Sequence, residues 1–319
     1  MPSSYIPKLL GILLLCLTCR LHAQVADTTF DRYKKLNDAE TRLEDYKDND
    51  DALRLKLIQL QVINKSRKQH RAQAVQLDIL ASRVANKMCR EATDNNYLGH
   101  WNMAGEKPYH RYAFAGGMDH VAENASAKWI EGSSFDTGED NILKFMKELH
   151  LAFMAEKAPH DGHKQNCIQK SHNYVGIGYC MALTRFSYYE EFVDRYLTFE
   201  DVPETAPINT KITIRATVPD NLYIVYSVAY YETALKPMKP KQIERLTSYP
   251  DFSKKRTNEL MPWELKAQRT GNTYEIPFLF KKKGLYYIHL YVQDKEPKGK
   301  KQFDSRKLYP ASGIVIHAE

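Results

Sequence analysis

The hydrophobic pattern divides the chain into a helical first part and a second part of short β-rich runs. Through residues 27–93, apolar positions recur at three and four residues, as on one face of a helix. Residues 27–51 carry a narrow apolar stripe among many charges, which predicts a solvated helix broken by Asp48–Asp51. Two further helices are expected over residues 52–93, separated near His70–Ala74.

The helical period is then lost and later regained. Residues 95–127 mix Gly, Pro, His and aromatic residues, which predicts a long structured loop or short strands, and such loops often carry function. Helical spacing returns over residues 139–156 and stops at Pro159, because proline cannot continue a helix. Residues 174–183 and 188–199 are rich in aromatic and aliphatic residues and are predicted as strands.

After residue 200 the chain consists of short apolar runs between turn residues. The predicted strands are Lys211–Val218, Leu222–Tyr231, Thr273–Phe280, Leu285–Val292 and Gly313–His317. This pattern favours an immunoglobulin-like β-sandwich. The stretch Pro237–Trp263 contains four prolines and is predicted as a long insertion or an irregular connection.

The amino-terminal residues predict export. Lys8 precedes the apolar run Leu9–Leu17, and Ala23 offers a small residue at a cleavage site, so residues 1–23 are expected to be a signal peptide. An uncleaved anchor is the alternative, but the run is shorter than the ~20 apolar residues of a spanning helix. A lipid anchor at Cys19 is a further alternative, and no later stretch has the pattern of a transmembrane segment. The expected location is secreted, periplasmic or at the cell surface.

Composition and charge narrow the class of protein. The 319 residues are 43% hydrophobic and 27% charged, which excludes general disorder and makes two domains the expectation. Without the signal peptide, 44 basic residues face 39 acidic ones, and a net charge of +5 does not indicate a nucleic-acid partner. From Glu200 onward 20 basic residues face 14 acidic ones, so the basicity belongs to the second part.

Three cysteines remain after the signal peptide, which are too few for a disulfide-held scaffold. At most one bridge can form, and Cys167 with Cys180 is the first choice because both flank one segment. Buried, unreactive thiols at Cys89 and elsewhere are the alternative.

Familiar catalytic motifs are absent from the sequence. It lacks a His-Glu-x-x-His helix, a Gly-x-Ser-x-Gly turn, a phosphate-binding loop and a Cys-x-x-Cys pair. Polar residues concentrate instead around His100, Glu123, Glu156 and His163. If these side chains meet, they suit zinc or another divalent ion, or proton transfer near neutral pH. A hydrogen-bonded network without metal is the competing interpretation.

Five motifs in order resemble the CAP superfamily, that is, the cysteine-rich secretory, antigen five and pathogenesis-related proteins. The resemblance covers roughly residues 53–199. It rests on Ile63-Asn64-x-x-Arg67 with the helix through Met88, on Gly99-His100, on Glu123-Asn124, on His160-Asp161-Gly162-His163-Lys164-x-Asn166 and on Tyr174–Tyr179. It implies an α-β-α sandwich of the bacterial type.

The resemblance also implies a cavity lined by two histidines and two acids, here His100, Glu123, Glu156 and His163, which we call the tetrad. Departures from the family pattern are Phe153 for Trp, Ala122 for Gly and Lys164 for Arg. Supporting roles are expected for Arg111, Asn124 and Asn166. The remaining histidines, which match no motif, are expected to be ordinary exposed or core residues: His110, His120, His150 and His172.

The sequence therefore predicts an α+β protein. Its expected parts are a signal peptide (1–23), a charged helix (24–52), a CAP-like α-β-α sandwich (53–200) and an Ig-like β-sandwich (201–319). The expected function is extracellular or cell-surface binding of a protein, lipid or surface ligand, with a divalent metal at His100 and His163 as an option.

Two other functions stay open at this point. One is a divalent-metal hydrolase acting on peptide or cell-wall material, with His100 and His163 as ligands and Glu123 as general base. The other is an adhesion module whose basic turns, Lys281–Lys283 and Lys298–Lys301, make the contacts.

Overall fold

The computed structural model describes four stretches of the chain: 25–246, 248–250, 253–297 and 308–319. The predicted signal peptide, residues 1–23, and the basic run Lys298–Lys301 lie outside these described residues. In the described stretches, none of the helices combines the length and the apolar composition that crossing a bilayer requires.

The helices begin at polar caps and bury apolar faces. Asn49 accepts a hydrogen bond from the Ala52 backbone N–H, and Asp78 does the same for Ala81, which satisfies backbone donors at two helix starts. The α-helices are α1 Asp27–Ala39, α2 Asp50–Gln69, α3 Ile79–Asp94, α4 Pro108–Phe114, α5 Glu139–Ala155, α6 Gly162–Ile168, α7 Pro240–Ile243 and α8 Pro262–Ala267.

The prediction of one helix through the first apolar stripe was wrong beyond Ala39. Helix α1 ends there, and a single 3-10 turn, Glu44–Tyr46, follows. Leu43 has φ of 50°, a left-handed conformation that interrupts any helix. The two helices predicted over residues 52–93 are confirmed as α2 and α3, and the later one over residues 139–156 as α5.

The first sheet has four strands. They are β1 Gln76–Leu77, β2 His120–Trp129, β3 Tyr174–Met181 and β4 Arg185–Asp194, in the order β1-β3-β4-β2. Strand β1 runs parallel to β3, and the other pairs are antiparallel. Over residues 95–127, where a long loop or short strands were predicted, the continuous loop was wrong: most of β2 lies there as a strand, and helix α4 was not expected. The second predicted strand begins earlier, at Arg185, and ends at Asp194.

Helices cover both faces of this sheet, giving three layers. Val175 and Ile177 share an apolar cluster with residues of α2 and α5, while α3 packs on the opposite face. Gly176 and Gly178 face α3 so closely that an added Cβ would lie 2.3 and 2.4 Å from the carbonyl carbons of Ala81 and Ala85. The Gly-Ile-Gly pattern therefore allows a helix to approach the sheet.

Two further sheets follow in the second part of the chain. Their strands are β5 Thr198–Glu200, β6 Thr205–Ala206, β7 Lys211–Thr217, β8 Tyr223–Glu232, β9 Arg256–Leu260, β10 Arg269–Thr270, β11 Thr273–Leu279, β12 Gly284–Gln293, β13 Tyr309–Pro310 and β14 Ile314–Ala318. One sheet has the order β10-β11-β7-β5, and the other has β6-β14-β12-β8-β9 with β13 paired to β12. The five predicted strands are confirmed as β7, β8, β11, β12 and β14.

One apolar cluster joins these two sheets. Ile214 and Ile276 come from the first of them, and Ile288 and Ile316 from the second, and each is buried. The inner positions alternate with exposed ones along β7, as expected for a strand with one solvated face.

The strand β12 also packs against the helical part. The rings of Tyr109 and Tyr287 are stacked with centroids 3.9 Å apart, and His120 lies 5.8 Å from His289. The irregular chain between β8 and β9, which we call the β8–β9 connection, contains α7 and contacts the loop after α3. Its Met238 N–H donates to the Met103 carbonyl at 2.8 Å.

Candidate functional site

His100 and Glu123 form the inner half of the tetrad. His100 lies in the loop after α3, and Glu123 is in the middle of β2. The imidazole Nδ1 is 2.7 Å from Glu123 Oε1, and the two side chains are 10% and 0% exposed. This contact fixes the orientation of the ring and leaves Nε2 as the nitrogen that is not directed at Glu123.

Glu156 and His163 form the outer half. Glu156 directly follows α5, and its carboxylate accepts from the His163 backbone N–H at 3.0 Å, in the first turn of α6. It also lies 2.5 Å from His163 Nδ1. The His163 and Glu156 side chains are 35% and 24% exposed, so this half borders solvent.

The two halves meet through their imidazoles. The ring centroids of His100 and His163 are 6.4 Å apart and the ring planes are tilted by 37°. Chain folding thus brings together four side chains that are spread over more than sixty residues of sequence. The arrangement is two carboxylate–imidazole pairs whose rings are near each other and tilted.

The three supporting residues contact the same group. Arg111 donates to the Glu123 carboxylate and, at 2.6 Å, to the His100 carbonyl. Asn124 donates to the His163 carbonyl at 3.1 Å, and Asn166 donates to Asn124 Oδ1 at 3.0 Å. Arg111 therefore holds the inner half and the two asparagines hold the outer half.

Glu191, which was not predicted from the sequence, contacts the same guanidinium as Glu123, that of Arg111. Glu191 lies opposite Glu123 in the register of β2 and β4, and its Oε1 is 3.4 Å from Arg111 Nη2. Burial and the Glu123 charge raise the pKa of Glu191 well above its usual range. Burial also raises the pKa of Glu123, against the opposing effect of Arg111. The effect is the stronger at Glu191, so of the two carboxyls Glu123 is the one favoured to carry the negative charge opposite the Arg111 guanidinium.

Tyr249 of the β8–β9 connection lies on the tetrad. Its hydroxyl accepts from the Glu123 backbone N–H at 3.0 Å, and its ring centroid is 4.9 Å from that of His100. Ile243 of α7 is fully buried against Gly99, where a Cβ would lie 2.5 Å from the Ile243 side chain. The second part of the chain thus supplies an aromatic wall to the predicted cavity.

The donor set fits a divalent ion held by two imidazoles. In each half a carboxylate contacts Nδ1, the arrangement that orients metal-binding histidines, so a metal would bind through Nε2. Two imidazoles on one tetrahedral ion with bonds of about 2 Å have centroids about 5 Å apart, so the observed 6.4 Å would have to close by about 1 Å on binding. Glu123 fits less well as a ligand because one of its oxygens faces His100 and the other Arg111.

The histidines that matched no motif are all buried, and each contacts a carboxylate. His110 pairs with Glu232, His150 with Glu190, and both His120 and His172 with Asp194. Of the two alternatives predicted for these four histidines, the exposed one was therefore wrong and the core one is confirmed. A buried carboxylate paired with each ring satisfies both groups without implying catalysis.

The predicted Cys167–Cys180 bridge was wrong, because both thiols are free. Cys167 is buried on α6, with Asn124 Nδ2 at 3.1 Å from its sulfur. Cys180 on β3 packs instead in an apolar cluster with Cys89 of α3. Spacing along the chain placed both cysteines beside one segment but could not show that their side chains enter different clusters.

One sequence signal could have found Glu191. Glu190-Glu191 stands within a strand of otherwise aromatic and apolar character, and every residue of that strand is buried. Two adjacent acids in such a strand require partners on both faces of the sheet. Tyr249 carries no comparable signal, since it lies in an irregular connection without period.

Comparisons with known proteins identify the first part of the chain. Residues 60–189 match the model of the cysteine-rich secretory protein family, CAP. No curated protein matches the chain.

Solved structures give weak likenesses. An extracellular protein containing an SCP domain from Bacillus anthracis str. Ames is 18% identical with a TM-score of 0.32, over 42% of this chain and 39% of that one. An outer surface protein from Borrelia burgdorferi is 14% identical with a TM-score of 0.35, over 44% of this chain and 92% of that one. The chain thus spans about two fifths of the length of the Bacillus protein.

Proposed function

We propose that the chain is a binding protein of the cysteine-rich secretory protein (CAP) family, whose model residues 60–189 match, and that it acts outside the cell or at its surface. The pocket formed by the tetrad and Tyr249 is the proposed recognition site. Its ligand is a protein, lipid or other surface molecule, and a divalent metal such as zinc occupies His100 and His163 as part of the site.

The main support for this proposal is that both carboxylate oxygens of Glu123 already have hydrogen-bond partners. One carboxylate oxygen contacts His100 Nδ1, the other accepts from Arg111, and the side chain is fully buried. A general base must accept a proton from water or substrate, and these contacts oppose that role. Such a fixed carboxylate instead orients an imidazole, which favours binding over turnover.

A bound metal would provide a Lewis-acidic contact for an oxygen or nitrogen atom of the ligand. The chain's own residues do the rest of the recognition. His100 and His163 supply the imidazoles, Glu123 and Glu156 hold their rings, and Tyr249 supplies an aromatic face. The partly exposed outer half, with His163 and Glu156, gives access from solvent.

A two-domain organisation accompanies this function. We place a charged amino-terminal segment, which contains α1, at residues 24–52, the CAP domain at 53–200 and an Ig-like sandwich at 201–319. The shared apolar cluster of the last two sheets supports the sandwich. The signal-peptide pattern of residues 1–23 supports export, and the exposed Lys281–Lys283 turn supports a role of the second domain in surface contacts.

Metal content and turnover measured on the same purified protein test the proposal. We expect zinc retention that falls in His100→Ala and in His163→Ala, with no hydrolysis of peptide or cell-wall polymer by any form. The matched control is His160→Ala, because His160 is exposed just before α6, three residues from His163.

The hydrolase alternative makes the opposite prediction. Turnover by the wild type that is lost in His100→Ala and in Glu123→Gln, with folding intact, would replace binding by metal-dependent hydrolysis. Zinc retention that is the same in the wild type and in both histidine variants would refute the metal part of the proposed site.

A further inference from the structure

A second group of metal-binding side chains lies behind the tetrad. His150 of α5, Cys167 of α6 and Glu190 of β4 are all buried, and their ligand atoms lie within 4.8 Å of one another. We call these three residues the Cys167 cluster. Asn124 separates it from the tetrad, since its Nδ2 is 3.1 Å from the Cys167 sulfur and 3.1 Å from the His163 carbonyl.

The spacing within the Cys167 cluster is close to that around a single ion. His150 Nδ1 is 2.8 Å from Glu190 Oε1, and the Cys167 sulfur is 3.5 Å from Glu190 Oε2. Ligands of a tetrahedral ion with bonds of about 2.0 to 2.3 Å stand about 3.3 to 3.8 Å apart. An outward shift of a few tenths of an ångström at Glu190 therefore accommodates an ion.

Neighbouring groups already hold the three side chains in place. His150 Nε2 is 3.0 Å from Ser66 Oγ, so the ring directs Nδ1 towards the other two residues. Tyr188 donates to Glu190 Oε1 at 2.7 Å, and Gln59 donates to Tyr188. Metal-binding histidines and carboxylates are commonly fixed by such a surrounding shell of hydrogen bonds.

The charges also suit an ion of charge two. A thiolate, a carboxylate and a neutral imidazole neutralise one divalent cation, and an electrically neutral group is the form that a buried site tolerates best. Burial and the Glu190 carboxylate oppose the thiolate, and Asn124 and the Arg67 guanidinium, which donates to the Cys167 carbonyl at 2.6 Å, offset this only in part. Without metal, burial raises the pKa of Cys167 well above its usual range, so metal binding displaces the thiol proton.

We propose that the Cys167 cluster binds zinc or a chemically similar divalent ion, at a site separate from the tetrad. The choice of metal follows from the donors, because sulfur and imidazole favour zinc over magnesium or calcium. The site is independent of the proposed function, since it uses no residue of the tetrad. A closed position inside the three-layer core would make this ion a structural element of the CAP domain.

Cobalt titration of the reduced, full chain tests this site, because only a thiolate ligand produces a sulfur-to-cobalt charge-transfer band. We expect the band in the wild type and its loss in Cys167→Ser. Cys89→Ser is the matched control, since Cys89 is also buried and free, and it should keep the band. The double variant His100→Ala/His163→Ala should keep it too, which separates this site from the tetrad.

X-ray absorption of the zinc-loaded wild type gives a readout that does not depend on the folding of any variant. One sulfur at about 2.3 Å from zinc is expected for this site in addition to nitrogen and oxygen neighbours, so a chain that also holds zinc at the tetrad should average about half a sulfur per zinc. A zinc shell without sulfur, a wild type that takes up no metal, or a cobalt band that survives in Cys167→Ser would each overturn the proposal.

Discussion

Tyr249 covers His100: its ring centroid lies 4.9 Å from the imidazole, and its hydroxyl accepts from the backbone N–H of Glu123 at 3.0 Å. The tyrosine comes from the β8–β9 connection, 126 residues after Glu123 in the sequence. The surroundings of His100 and Glu123 thus include residues from both parts of the chain. Changes in the second part should therefore alter binding in the first.

Tyr249→Phe removes the hydroxyl that accepts from Glu123 and leaves the ring over His100. We expect a loss of about 1 kcal/mol in the free energy of unfolding, the value of one partly buried hydrogen bond. Chemical denaturation measures it. Tyr223→Phe is the control, because Tyr223 lines a separate cavity with Trp263 and Arg269 and should change stability by less. Equal losses in both variants would contradict the assigned role of the Tyr249 hydroxyl.

Arg111→Ala should be among the most destabilising changes in the chain. It removes the only cation contact described here for Glu123 and Glu191, and a buried charge without its partner costs about 3 to 5 kcal/mol. Thermal and urea unfolding measure the loss. Arg215→Ala is the control, since Arg215 pairs with Glu275 on the surface, where such a pair contributes about 1 kcal/mol or less. A mild effect of Arg111→Ala would contradict the charge assignment of the inner half.

Glu232 joins the end of β8 to α4 and should make stability depend on acid pH. Burial raises the pKa of Glu232, but hydrogen bonds from His110 and Tyr109 and the charge of Lys107 outweigh this and lower it to about 2. Burial lowers the pKa of His110, so at neutral pH its ring donates as a neutral imidazole and Lys107 supplies the charge.

Because the pKa of Glu232 is lower in the folded protein than in the unfolded chain, its ionised carboxylate stabilises the fold at pH values above the unfolded pKa. This stabilisation is lost as the pH falls towards the folded pKa. We expect about 2 to 3 kcal/mol to disappear between about pH 4.5 and pH 2. The difference in unfolding free energy between the wild type and Glu232→Gln should shrink over this window. A difference that stays constant across the window would be inconsistent with the Glu232 contacts.

Gly176→Ala tests the close approach of α3 to the first sheet. The new Cβ would lie 2.3 Å from the Ala81 carbonyl carbon. Because this carbon is part of the α3 backbone and cannot move aside easily, we expect at least about 2 kcal/mol of destabilisation. Gly162→Ala should stay within about 0.5 kcal/mol, because the space around Gly162 is open and its backbone is not left-handed. Denaturant midpoints of both variants give the comparison, and similar midpoints would refute the packing argument.

The regular elements were predictable where apolar spacing repeats along the chain. Helices α2, α3 and α5 and strands β7, β8, β11, β12 and β14 have clear periods. Strand β2 was not predicted as one long strand because His120–Trp129 contains mainly small and polar residues. Its place in the sheet depends on pairing with the aromatic strand β4. Helix α4 was not predicted because its buried residues include Tyr, His and Arg, which do not form a recognisable hydrophobic pattern.

The individual contacts of the site depended on geometry that a sequence does not encode locally. Order and spacing suggested the tetrad residues. Glu191 meets Arg111 only through the cross-strand register of β2 and β4, and Tyr249 reaches His100 only through the path of a proline-rich connection. Cys167 and Cys180 likewise lie near one another in sequence but point into different clusters.

The most direct test of the proposed pocket is an anomalous-difference map, recorded at the zinc edge, from crystals grown with zinc. The account predicts a peak between the Nε2 atoms of His100 and His163, next to the ring of Tyr249. A map with zinc at other positions and none between these two histidines would contradict the proposed metal-containing binding site.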